Sequence, residues 1–86
     1  IDVKGGIALG NALSLNQTVL TMYLQHNNIG EQGCIAIGNA LKVNSSLLKI
    51  NLEGNGIGFE GAVAIGNGLT TNQTLLKINL GLSFAV

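Results

Sequence analysis

Few residues in this 86-residue chain have side chains able to act on a substrate. His26 is the single histidine, Cys34 the single cysteine, and the carboxylates are Asp2, Glu31, Glu53 and Glu60. A protein metal site gathers several His, Cys or carboxylate ligands, and one histidine does not supply the usual set. The four carboxylates do not pair at a repeated site, and no nucleophile, base and orienting group form a set. Gly56-Ile57-Gly58-Phe59-Glu60-Gly61 has the G-x-G-x-x-G spacing that lets a backbone approach a pyrophosphate at a helix N-terminus. No Asp or Glu follows Glu60 to hold a ribose. The chain is therefore expected to be no enzyme and to hold no cofactor and no metal.

Composition narrows the partners. The cations are Lys4, Lys42, Lys49 and Lys77, without a single arginine, and the formal net charge is zero. Phosphate neutralisation would be weak, and three aromatic residues, Tyr23, Phe59 and Phe84, are too few for a base-stacking platform. Nucleic acid is not an expected partner. With 47% hydrophobic and 9% charged residues the chain has apolar surface to bury and does not read as a disordered charged tail. No apolar run approaches the roughly 18 residues of a membrane span, so no membrane partner is expected. An unpaired cysteine leans towards a reducing, cytoplasmic compartment, with Cys34 read as a small buried hydrophobe.

The elements that position these side chains come from a repeat. Gly5-Gly6-Ile7-Ala8-Leu9-Gly10-Asn11 returns as Gly33-Cys34-Ile35-Ala36-Ile37-Gly38-Asn39 and as Gly61-Ala62-Val63-Ala64-Ile65-Gly66-Asn67, each time 28 residues on. Residues 33–52 and 61–80 are identical at 13 of 20 positions, so the period is not accidental. It also accounts for Gly58 and Gly61, which recur from Gly30 and Gly33. Within each period the apolar residues first follow a helical spacing, as in Cys34, Ile37 and Leu41 or Ala62, Ile65 and Leu69. They then alternate, as in Leu48-Lys49-Ile50-Asn51-Leu52, which puts Ile50 and Leu52 on one face of a strand and Lys49, Asn51 and Glu53 on the other. Each unit is thus one short helix and one short strand. Neither buries its apolar side unaided, and stacking supplies a shared core. Three units near 5–32, 33–60 and 61–86 form one domain over residues 1–86.

Val19-x-x-Met22-x-Leu24-x-x-Asn27-x-Ile29 and Leu47-x-x-Ile50-x-Leu52-x-x-Asn55-x-Ile57 fit the pattern L-x-x-L-x-L-x-x-N-x-L. The chain thereby resembles leucine-rich-repeat proteins. Its period and the following glycines are similar to the ribonuclease-inhibitor-like subclass, which includes the leucine-rich regions of NOD-like receptors and Ran GTPase-activating proteins. The resemblance implies an α/β fold: a right-handed solenoid, a piece of a horseshoe, with parallel strands on the concave side and helices on the convex side. It implies a protein-protein interaction module whose binding face carries Thr21, Tyr23, Gln25, His26, Lys49, Asn51, Glu53, Lys77 and Asn79. The alternatives are part of a GTPase-activating domain and a purely structural spacer. Tyr23 is the expected anchor, because tyrosine is enriched at interface hot spots.

Asn27 and Asn55 are expected to satisfy the backbone of successive turns, since an amide side chain both donates and accepts. Asn16-Gln17-Thr18, Asn44-Ser45-Ser46 and Asn72-Gln73-Thr74 have the form of glycosylation sequons but recur in phase with the helix-to-strand turn. They are read as helix terminators in the left-handed conformation. The glycines at Gly10, Gly38, Gly66 and Gly68 are read partly as helix-weakening and partly as allowing close packing. At the ends, Ile1 aligns with Ile29 in mid-unit, Ser83 stands in place of the asparagine and Ala85 in place of the isoleucine. These features lead us to expect part of a longer array. The isolated segment is expected to self-associate or to fold only partly, because apolar side chains including Ile7, Leu9, Leu13, Ile78 and Leu80 lack covering neighbours. Because the repeat explains the glycine run, calorimetry with NAD or ATP should show no binding; a micromolar Kd abolished by Gly58→Ala would overturn that explanation.

Overall fold

The computed structural model describes residues 1–81; the readings placed on Ser83 and Ala85 lie outside the described residues. Three helices alternate with three strands: α1 (Val3–Leu15), β1 (Thr21–Tyr23), α2 (Gly30–Leu41), β2 (Lys49–Asn51), α3 (Gly58–Thr71) and β3 (Lys77–Asn79). The strands form one parallel sheet in the order β1-β2-β3. Met22 pairs with Ile50 and Ile50 with Ile78. Helices pack on helices in the same order, α1 on α2 and α2 on α3.

Inward side chains from both halves of each unit make one core. Ile37, Leu41 and Ile65 from the helices join Leu24, Leu47, Ile50 and Leu52 from the strands and their flanks. Cys34 is fully buried among them, as its helical spacing predicts, and burial pushes its thiol up to about 11. Leu13 is also a core residue, 1% exposed, which corrects its expected place on an uncovered end. The end of α1 is closed over by the next unit, where Asn44 reaches the Leu13 carbonyl. Ile7 of the same helix is exposed and Leu9 packs on the core from its edge.

Each strand leads into a turn whose backbone must find partners. Asn55, 2% exposed, holds two successive turns together. Its Nδ2 donates to the Leu24 carbonyl at 2.7 Å and to the Leu52 carbonyl at 3.1 Å. Its Oδ1 accepts from the Asn27 and Ile29 N–H groups at 2.9 and 3.2 Å. Asn27 makes the corresponding donation to the Leu24 carbonyl in its own turn, at 3.0 Å. The structural role expected for these asparagines holds. Past them the chain adopts left-handed φ at Gly30 (+73°) and Gly58 (+71°). Gly56, the extra glycine of the nucleotide-like run, takes φ +62°, and its counterpart Asn28 takes +54°. The run thus follows the turn conformation.

A second asparagine ladder lies at the other end of the strands. Asn44 donates to the carbonyls of Leu13 and Asn16 and accepts from the N–H groups of Ser46 and Leu47. Asn72 repeats this one unit on, to Leu41 and Asn44, accepting from Thr74 and Leu75. This corrects the expected left-handed helix ends. Asn16 and Asn72 cap their helices in extended conformation, with ψ 130° in both, and α2 is capped by Lys42. These asparagines serve through side-chain bonds to the chain two or three residues on and to the preceding unit, rather than through their own backbone twist.

The helices run 12 to 14 residues despite their glycines, so fraying does not explain the residue choice. A Cβ on Gly10 would lie 2.7 Å from the Ala36 Cβ, and one on Gly38 would lie 2.5 Å from the Ala64 carbonyl carbon. Close packing accounts for both positions. At Gly66, the third member of the series, a Cβ would have no neighbour within 4 Å among the described residues. The N-terminus of α3 is tied to α2 as well, by the Glu60 N–H donating to the Glu31 carboxylate at 2.9 Å.

Asn55→Ala should destabilise by about 1–3 kcal/mol in denaturant melts, because buried backbone groups lose their partners. Asn51→Ala, which loses one half-buried bond from the Glu53 N–H, should cost less than about 1 kcal/mol; comparable losses would invert the assignment of strand faces. For the helix glycines, Gly38→Ala should destabilise by about 1–3 kcal/mol through overpacking. Gly66→Ala should stabilise by roughly 0.5–1 kcal/mol through helix propensity. Equal signs in thermal melts would contradict the packing role.

Candidate protein-binding face

Parallel pairing arranges the outward strand residues in rows. Thr21, Lys49 and Lys77 are register partners and form one row. Tyr23, Asn51 and Asn79 form the other. Met22, Ile50 and Ile78 alternate to the opposite side, against the core. The structure thus brings together six of the nine residues expected at a binding face. Thr21, Tyr23, Lys49, Lys77 and Asn79 are exposed, Tyr23 at 66%, and Asn51 is half-buried.

Gln25, His26 and Glu53 stand beyond the strands, in the turns. The Gln25 carbonyl accepts from Asn27 Nδ2. His26 has left-handed φ of 58°, its N–H donates to the Glu53 carbonyl, and its ring crowds Gly54. Glu53 is half-buried and its N–H donates to Asn51 Oδ1 at 3.0 Å. These three residues therefore border the strand rows.

Tyr23, Lys49, Ile50, Asn51, Lys77 and Asn79 line a depression of about 140 Å³. A larger groove, about 300 Å³, lies between α1 and α2, lined by Ile7, Asn11, Ser14, Gln32 and Asn39 among others, with no charged residue. Leu20 and Leu76, next to the first row, are 56% and 79% exposed, with Leu48 half-buried between them in sequence phase. The sequence reading missed this apolar border. An apolar residue one step before a strand looks like core until the chain's path is known.

Among the described residues, no helix is long and apolar enough to cross a membrane. Comparison with curated proteins gives no match. A family model described as Leucine Rich repeat matches residues 15–38 and 43–66. The two matched segments contain both asparagine turns and the first two strands, and together span more than half of the chain. The alternating helices and parallel strands, with an asparagine bridging consecutive turns, fit that family's α/β fold, and the chain belongs to the leucine-rich-repeat family.

Proposed function

We propose that this chain is a protein-protein interaction module whose partner rests on the strand rows. Leucine-rich repeats generally mediate protein-protein interaction. The observation that carries the reading here is the gathering of Tyr23, Lys49, Asn51, Lys77 and Asn79 around one depression, on a sheet whose other side is core. We assign the chain to the ribonuclease-inhibitor-like subclass, as a right-handed solenoid with a 28-residue period, the strand rows being concave and the helices convex. Helices are wider than strands, so stacking units of one of each bends the array towards the strands.

In this reading the chain is one domain and part of a longer array. Three strands at about 4.8 Å spacing, each three residues long at roughly 3.3 Å rise, offer on the order of 150 Å². A standard interface takes about 800 Å² per partner, so neighbouring units complete the platform. The isolated segment self-associates or folds only partly. It acts in the cytoplasm, without catalysis, cofactor, nucleic acid or membrane.

The test is site-specific crosslinking. A benzophenone side chain at position 23 should capture a protein from cell extract, saturably and in competition with unlabelled chain. The same group at Asn67, exposed on α3, should not. Equal capture from both positions would remove the strand rows as the binding face.

A further inference from the structure

We propose that the depression over β2 takes the carboxylates of an acidic segment of the protein partner, held between Lys49 and Lys77. This rests on the strand rows being the protein-binding face and specifies what they bind. Lys49 and Lys77 are direct register partners on adjacent parallel strands, so their stems start about 4.8 Å apart. Like charges placed side by side on a sheet repel, and the four acidic side chains of the sequence stand elsewhere. Asp2 caps α1 through the Gly5 N–H, Glu31 holds the N-terminus of α3, and Glu60 is exposed in the first turn of α3. Glu53 lies in the turn beyond β2, against Gly81. Two lysines therefore share one depression that, among the described residues, no acidic residue lines.

The remaining polar groups there reinforce the sign. Asn51 Oδ1 accepts from the Glu53 N–H at 3.0 Å, and its Nδ2 is a further donor. Tyr23 adds a hydroxyl that can donate. The lining thus offers two ammonium groups, amide N–H groups and a hydroxyl, donors that suit a carboxylate. Its size, about 140 Å³, fits side-chain ends and falls short of the roughly 300–1,000 Å³ of a small-molecule pocket. A nucleic-acid backbone is the rival polyanion. It would need a track of cations, whereas Lys4 lies on α1 and Lys42 at the end of α2, and the chain has no others.

The experiment is fluorescence anisotropy on the 86-residue chain with a labelled oligoglutamate peptide, an oligoglutamine peptide of equal length and a single-stranded RNA. Oligoglutamate should bind saturably, and more weakly as salt is raised. The Lys49→Gln/Lys77→Gln variant should lose about tenfold in affinity, while Lys4→Gln/Lys42→Gln should not, with circular dichroism confirming that both fold. Absence of saturable oligoglutamate binding, equal binding of oligoglutamine, equal loss in the two lysine variants, or tighter binding of RNA would each overturn the proposal. If position 23 still crosslinks a protein in any of those cases, the binding face stands and only its acidic specificity falls. If that crosslink also fails, the reading of the face itself is wrong.

Discussion

Asn55 sits between two turns with its amide almost out of reach of water, and both of its polar atoms are used across that boundary. The carbonyl of Leu24 and the N–H groups of Asn27 and Ile29 belong to one unit, while Asn55 and the Leu52 carbonyl belong to the next. Buried backbone groups left without partners cost a few kcal/mol each, a large share of the stability of a chain this small. A turn of this kind can be buried only if a side chain with both donors and an acceptor comes from the neighbouring unit. Asn44 and Asn72 impose the same condition at the other end of the strands. Among the described residues, no buried side-chain nitrogen or oxygen lacks a partner.

These two ladders fix the spacing of units at the strand layer, and the helix layer must follow it. Glycine at positions 10 and 38 removes the side chain that would otherwise hold neighbouring helices apart. The cost in helix propensity is offset by the close approach of neighbouring helices at those positions. Ala36 and Ala64, the residues met across those contacts, are small as well. With helices close and strands in register, the inward residues of both layers close on one core, and Cys34 is sealed within it as an inert thiol.

Register then has a consequence for function. Parallel pairing with no offset puts chemically identical positions side by side, so a lysine in one unit stands beside the lysine in the next. A repeat protein multiplies whatever its outward strand positions carry, and here that is positive charge and amide donors next to a single tyrosine. The apolar residues Leu20 and Leu76 border the same rows. The face is therefore neither uniformly polar nor uniformly basic, in keeping with recognition of a protein surface.

The sequence by itself determined the units, because a helical and then an alternating spacing is set by the geometry of single elements. From that spacing it also determined the strand faces: Ile50 and Leu52 inward, Lys49 and Asn51 outward, and Cys34, Ile37 and Leu41 in the core. The asparagine turns at Asn27 and Asn55 were legible too, since an amide at a strand exit has few other uses. What only the tertiary structure decided depends on atoms one unit away. Asn44 and Asn72 read as helix ends until the carbonyls of Leu13, Asn16, Leu41 and Asn44 came within reach. Leu13 read as an uncovered end residue until the next unit closed over it. Gly10, Gly38 and Gly66 are alike in sequence, and contact separates the first two from the third. Periodicity records what each element buries, but hydrogen-bond partners and packing distances belong to pairs of elements, and only the stacked chain specifies those.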